Sequence, residues 1–455
     1  MGYNFIECNR EQQYLLPPSL MDWLPEGDLT WFILDAIEQM ELKEFYKKYR
    51  RDGWGRAAFN PKVMVSLLVY AYSIGERSSR RVESLCERDI GFRIITANQK
   101  PDHCTISRFR KDNEKELEGL FTEVLKLCAE AKIVKVGVVA LDGTKMEANA
   151  SLSSNRSEKY IEEEVKKILK EAAQTDKAED KLYGKRNRGD ELPEEMKDRR
   201  SRLKRLQECK ERLELRAREL ARKQQEKIEM RQKEESEQGR KKRGRKPKMP
   251  EEVKNKEAKA NITDPESRIM KTQAGYVQGY NAQAVVTKEQ IIVAADLTQE
   301  ENDINQLHPL LNKAKENVRD IGIERRLRVG LADAGYWSEG NMKKGLPDEL
   351  ELFVATKKDW KQRKAMQEQK AQRGRIPEGL SKRERMERKL LTKRGKHFYS
   401  KRGQMVESVF GQIKDARRIK RFLRRGLDAC SSEWKLICAT HNLLKLFRSG
   451  KASWS

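Results

Sequence analysis

An α/β fold is what this 455-residue chain predicts: a mixed sheet with helices packed on it, a helical domain in front and a long charged helical insertion within. Short apolar runs bounded by turn or acidic residues recur at 134–141, 278–286, 290–295, 327–333 and 352–355, the pattern of strands buried in a sheet. Ahead of the first run, apolar residues repeat at helical spacing instead. Between the first and second runs lie residues 155–260, whose 35 Lys/Arg and 25 Asp/Glu are too polar to belong to a sheet's core.

Taken in order, residues 1–58 read as a short N-terminal arm carrying Trp23, Trp31 and Trp54. Residues 59–130 form a helical domain. Asn60-Pro61 is a good helix start, with Val63, Met64, Leu67, Leu68 and Ala71 following at helical spacing until Gly75. A second helix from Ser78 or Ser79 turns Val82, Leu85 and Cys86 inward, and a third from Thr105 continues through Leu117, Leu120, Phe121, Val124, Leu125 and Cys128. Short helices with Arg and hydroxyl residues after a tight turn, here Pro101-Asp102, fit a helix-turn-helix module with Arg108 and Arg110 as DNA contacts. Residues 131–154 and 261–450 then supply the sheet: a strand over 134–141, a hairpin over 278–295, a helix near 302–318, and strands at 327–333 and 352–355.

Positive charge is concentrated. The chain carries a net +25, yet residues 356–427 alone hold 25 Lys/Arg against 7 Asp/Glu, a balance that points to a polyanionic partner, a nucleic acid. Seven cysteines without a C-x-x-C pair fit a reduced compartment. The first residues lack an apolar signal region, and no run nears the 18 or so apolar residues of a membrane span. A cytoplasmic, nucleoid-associated protein with no membrane partner is expected.

Within 155–260, Leu206, Leu213 and Leu220 recur every seven residues, so part of it is expected as a helical hairpin or short coiled coil, inserted in the sheet domain and without a separate core. Near its end, Arg243-Gly244-Arg245 looks like an AT-hook core that could reach the floor of an A·T minor groove. A solvated basic linker is the other reading of the same residues.

The chemistry rests on three acids. Asp142 ends the apolar run Val138-Val139-Ala140-Leu141, and Asp333 ends Val329-Gly330-Leu331-Ala332; both stand where a strand meets a turn. Glu407 borders an apolar helix face made by Met405, Val406, Val409, Phe410 and Ile413, and on a continuous helix Lys414 and Arg418 would stack along the same side. Gathered carboxylates repel, and Mg²⁺, with its preference for oxygen ligands, relieves this. Asp296 is a rival acid. Lys145, Arg402, Lys414 and Arg418 are candidates for phosphate contacts, and Trp337 either stacks on a base or packs in the core.

This trio resembles the catalytic acids of the DDE transposases of bacterial insertion sequences, in particular the subgroup with a Tyr-Arg-Glu-Lys signature, which falls here on Tyr399, Arg402, Glu407 and Lys414. Four residues separate Arg402 from Glu407 where the usual pattern has three. The segments RSSRRVESLCERDIGFR, KPDHCTISRFR, TDPESRIMKT, VQGYNAQ and RFLRRGL extend the similarity over most of the chain. The resemblance implies an RNase H-like catalytic core, with Asp142, Asp333 and Glu407 as catalytic residues and metal ligands. It implies two Mg²⁺ ions, for which Mn²⁺ can substitute, and DNA contacts from Tyr399, Arg402, Lys414 and Arg418. It further implies recognition of terminal inverted repeats, cleavage, transfer of 3′ ends to target DNA, and a homodimer in a synaptic complex. The alternative is a catalytically silent, transposase-derived DNA-binding protein.

Overall fold

A computed structural model describes residues 19–50, 52, 57–168, 170, 194–239, 247–250, 259–272, 274–324, 326–343 and 350–452. Its centre is a six-stranded mixed sheet of β1 (Val138–Glu147), β4 (Arg268–Thr272), β5 (Gly275–Thr287), β6 (Ile292–Thr298), β7 (Val329–Ala332) and β8 (Glu351–Val354). β5 pairs antiparallel with β1, β4 and β6, whereas β7 runs parallel to β1 and to β8. All four β7 residues are buried, as suits a parallel strand covered on both faces.

β1 departs from its expected bounds. It begins at Val138 and continues to Glu147 instead of stopping at Leu141, because the 13-residue β5 offers an antiparallel partner out to Glu147 opposite Gly279. Asp142 therefore lies inside a strand. The hairpin forms where the apolar runs placed it, and β4, with few apolar residues to mark it, was not anticipated.

Among the described residues, seven α-helices precede the sheet: Leu29–Glu38, Lys43–Tyr46, Pro61–Ser73, Ser79–Arg88, Ile90–Ile95, His103–Asp112 and Glu114–Glu130. Asn60 Oδ1 accepts the Lys62 N–H at 2.9 Å with Pro61 in the first turn. Asp102 Oδ1 accepts from Thr105 N at 2.6 Å, which starts its helix at His103, two residues before Thr105. The expected continuation breaks at Asn113, whose side-chain amide donates to the Phe109 carbonyl at 2.8 Å. Residues 29–45 are not an arm: Ile33, Ala36, Ile37 and Phe45 are buried in the core that also contains the sheet.

The C-terminal helix Leu427–Ser449 joins the two layers. Asn442 acts toward β6 as a neighbouring strand would, accepting from Ile292 N and donating to Ile292 O, both at 2.8 Å. Trp434, fully buried, donates through Nε1 to the Gln283 carbonyl at 3.1 Å. Facing the other way, Glu433 pairs with Arg77 at 2.7 Å, both side chains buried. Helical layer and sheet thus share one continuous hydrophobic core.

The insertion leaves through β2 (Asn155–Ser157) and returns through β3 (Lys259–Asn261), which pair antiparallel and close its neck. Residues 158–168 are helical, and Glu194–Gln238 forms a 45-residue helix about 68 Å long. Contrary to expectation it has a small core of its own: Ile161, Leu206, Cys209, Leu213 and Ala260 bury one another. Leu220, the next residue of the seven-spaced series, is 42% exposed, because the packing ends before it. Among the described residues, no helix is long and apolar enough to cross a membrane.

Candidate active site

Two strands bring the first two acids together. Val138, Val139 and Ala140 stand opposite Val329, Gly330 and Leu331 in parallel register, and two residues beyond each end of that pairing come Asp142 and Asp333. Here β1 and β7 part, β1 continuing along β5 and β7 turning into the short helical turn Ala334–Tyr336. Each carboxylate uses one oxygen locally: Asp142 Oδ1 accepts from Gly143 N and Asp333 Oδ1 from Gly335 N, both at 2.9 Å. Burial pushes the Asp142 carboxyl up to about 7, against the pull of Arg402 and with the repulsion of Asp333 and Asp303 added. Burial raises Asp333 as well, again opposed by Arg402 and reinforced by Asp303 and Asp359.

Arg402 stands among these acids. It opens the helix Arg402–Gly411, whose Met405, Val406, Val409 and Phe410 pack into the core as the apolar pattern required. With its side chain only 5% exposed, it donates from Nη1 to Asp142 Oδ2 at 3.1 Å and from Nη2 to Asp359 Oδ1 at 3.3 Å, and lies 3.8 Å from Glu407 Oε1. Glu407, half exposed one and a half turns along, also meets Arg363 at 2.5 Å. The Tyr399 hydroxyl donates to the same Asp359 oxygen at 3.2 Å.

The donors suit a hard divalent cation. All are carboxylate oxygens, and the desolvated, mutually repelling Asp142 and Asp333 gain from a positive charge beside them. In this arrangement Arg402 supplies that charge. Among the described residues, no three His, Cys, Asp or Glu converge closely enough to hold a metal as they stand.

Several candidate DNA contacts are placed otherwise than the sequence suggested. Lys145 Nζ donates to the Glu301 carbonyl at 2.8 Å and lies 3.7 Å from Asp303. Lys414 Nζ donates to the Lys145 carbonyl at 2.7 Å, tying the helix carrying Glu407 to β1. The expected stack of Glu407, Lys414 and Arg418 does not form. The α-helix ends at Gly411, a wider turn spans Gln412–Ala416, and Arg418 adopts φ +58° while Ile419 N returns to the Ile413 carbonyl at 3.1 Å. Buried Arg417 anchors this break through Thr440 Oγ1 at 2.8 Å and the Ile437 carbonyl at 3.1 Å, leaving Arg418 exposed.

In the helical layer, Arg108 is exposed, but Arg110 is buried and donates to the Arg77 carbonyl at 2.8 Å and to Ser79. It holds helices together instead of presenting a charge. Arg243 and Arg245 lie outside the described residues. Asp296 is paired with Lys313 at 3.0 Å, and Trp337 packs against the main core.

Three members of the constellation were not foreseen. Asp359 and Arg363, one turn apart on the helix Asp359–Glu368, bind each other at 2.6 Å and reach Arg402 and Glu407. Their sequence signal, a lone acid and base in a strongly basic stretch, is indistinguishable from a solvated helix face. Asp303 follows two glutamates and an asparagine before a helix, where it reads as an ordinary N-cap.

Comparison with known families finds two matches. Residues 18–112 match a family described as a transposase domain (DUF772), and residues 358–447 match a family described as a transposase DDE domain. The second span contains Tyr399, Arg402, Glu407 and Lys414, and the first contains Arg108 and Arg110. No curated protein and no solved structure matches the chain.

Proposed function

From the premise that this chain is a DDE transposase of an insertion sequence, we propose that it cuts DNA at the ends of its element and joins the freed 3′ ends to a target, with Asp142, Asp333 and Glu407 as its catalytic acids. One observation carries the assignment: Asp142 and Asp333 meet where neighbouring parallel strands part, and a single buried arginine, Arg402, touches Asp142 and lies 3.8 Å from Glu407. The succession β6, β5, β1, β7 and β8, antiparallel through the first three and parallel thereafter, supports an RNase H-like reading of the sheet.

Asp142, Asp333 and Glu407 would hold Mg²⁺, with Mn²⁺ as substitute, and a pair of such ions supplies nucleophile activation and leaving-group stabilisation for in-line displacement at phosphorus. The chain's own side chains prepare the place. Arg402 pulls against the burial that raises the Asp142 carboxyl and also binds Asp359, which in turn fixes the Tyr399 hydroxyl. Lys414 holds β1 against the helix that carries Glu407. One site serves cutting and joining because both are phosphoryl transfers that differ only in the nucleophile. Exposed Arg108 and Arg418 are the proposed phosphate contacts, recognition of the terminal repeats falls to the N-terminal helices, and two chains pair two DNA ends at the nucleoid.

The test is strand cleavage of DNA bearing the element's own ends, with Mg²⁺ or Mn²⁺, by the wild type and by Asp142→Ala, Asp333→Ala and Glu407→Ala. Each substitution should reduce cleavage by at least about a hundredfold. Substituted proteins that cut like the wild type would remove these residues from the mechanism. If none of the proteins, wild type included, cuts while all bind the ends, the chain is a silent DNA-binding derivative.

A further inference from the structure

We propose that Asp303 is a fourth carboxylate of this site, which shares with Asp142 and Asp333 the hold on the divalent cation. The inference rests on the reading of those acids given above. Asp303 stands at the N-cap of the short turn Ile304–Gln306, yet its side chain makes no capping bond. It turns back toward β5 instead, where Oδ1 accepts from Asn281 Nδ2 and Gln283 Nε2, both at 2.6 Å, with Lys145 Nζ 3.7 Å away.

These partners are part of the floor beneath the catalytic acids. Gln283 lies opposite Gly143 and Asn281 opposite Lys145 in the β1–β5 register, and both side chains are completely buried. Gln283 Oε1 also takes the hydroxyl of Tyr336, three residues after Asp333. Asn281 Oδ1 is buried and meets no donor among the described residues. A buried acceptor without a donor beside a third acid is costly unless a cation belongs there.

Space has been cleared on both sides. A Cβ at Gly143, the residue after Asp142, would lie 2.2 Å from Gln283 Nε2 and 2.7 Å from Asp303 Oδ1. A Cβ at Gly335 would lie 3.0 Å from Asp333 Oδ1 and 3.2 Å from Asp303 Oδ2, so these two oxygens border one small volume over Gly335. Two glycines that follow the two strand acids thus admit Asp303. Asp296, opposite Gln283 on the same hairpin, makes the contrast: its carboxylate is paired with Lys313 at 3.0 Å.

Mn²⁺ binding to the full chain, without DNA, followed by electron paramagnetic resonance, tests the proposal. Asp303→Asn keeps an acceptor for Asn281 and Gln283 and should weaken Mn²⁺ binding at least tenfold, as Asp142→Asn should, while Asp296→Asn binds like the wild type. Gly143→Ala keeps every carboxylate, and its methyl displaces Asp303; with its melting temperature in EDTA as a check on folding, it should reproduce the loss. Wild-type affinity in Asp303→Asn alongside a loss in Asp142→Asn overturns the role of Asp303 and leaves the three-acid site intact. Absence of Mn²⁺ binding by the wild type overturns both.

Discussion

Arg402 Nη1 lies 3.1 Å from Asp142 Oδ2 across 260 residues of sequence, and both groups are largely removed from water. A buried pair loses most when one partner is removed, because the other charge is left uncompensated. Arg402→Gln should therefore destabilise the protein in EDTA by about 3 kcal/mol. Mn²⁺ should then raise the melting temperature of the variant more than that of the wild type, since the cation replaces the missing charge. Equal shifts in the two proteins, measured by thermal denaturation with and without Mn²⁺, would contradict the idea that arginine and metal serve the same carboxylates.

Arg77 and Glu433 fasten the N-terminal helices to the C-terminal helix at 2.7 Å, with Glu433 also accepting from the Leu423 and Arg424 N–H groups. Arg77→Met should cost about 3 kcal/mol in urea denaturation. Adding Glu433→Gln should recover part of that loss, because the buried charge left behind is then gone. An additive double variant would mean that the two residues do not act as a pair.

His441 is buried and bonded to the Gln290 carbonyl at 3.0 Å, and burial, with Arg417, Lys445 and Arg448 nearby, lowers its pKa to about 3. The unfolded chain takes up a proton below the ordinary value of 6.5 and the folded chain does not. Its contribution is accordingly complete above pH 6.5 and declines as the pH falls toward 3. Between pH 7 and pH 5 the wild type should lose about 2 kcal/mol more stability than His441→Gln. Parallel pH profiles of the two proteins in urea unfolding would refute this.

The insertion's small core depends on Leu206 and Leu213 facing Ile161. Leu206→Asp places a charge there and should speed hydrogen exchange in residues 206–238, while β1 and β7 keep their protection. Exchange measured by mass spectrometry that changes in both regions, or in neither, would show that the insertion is not an independent unit of stability.

Legibility followed the range of the interactions. β7 and β8 are buried on both faces and the helix around Glu407 on one, so each wrote its apolar pattern into adjacent residues. The bounds of β1 did not show, because its extension past Asp142 is set by hydrogen bonds to β5, more than a hundred residues away. Nor did the end of the Glu407 helix, where Arg417 bonds into the helix that follows.

By itself, the sequence determined the kind of architecture, the acids at Asp142, Asp333 and Glu407 as the ones to watch, and the concentration of positive charge over 356–427. Apolar periodicity and charge density are local quantities, and the chain displays them wherever it is read. Which cations face outward was decided only in three dimensions. Arg110, Lys145, Arg402 and Lys414 all read as free positive charges, and each is instead committed to a carbonyl or carboxylate at least 33 residues distant. The gathering of Asp303 and Asp359 around the same centre was likewise a tertiary matter, since a charged side chain reveals its partner only when the fold has excluded water from between them.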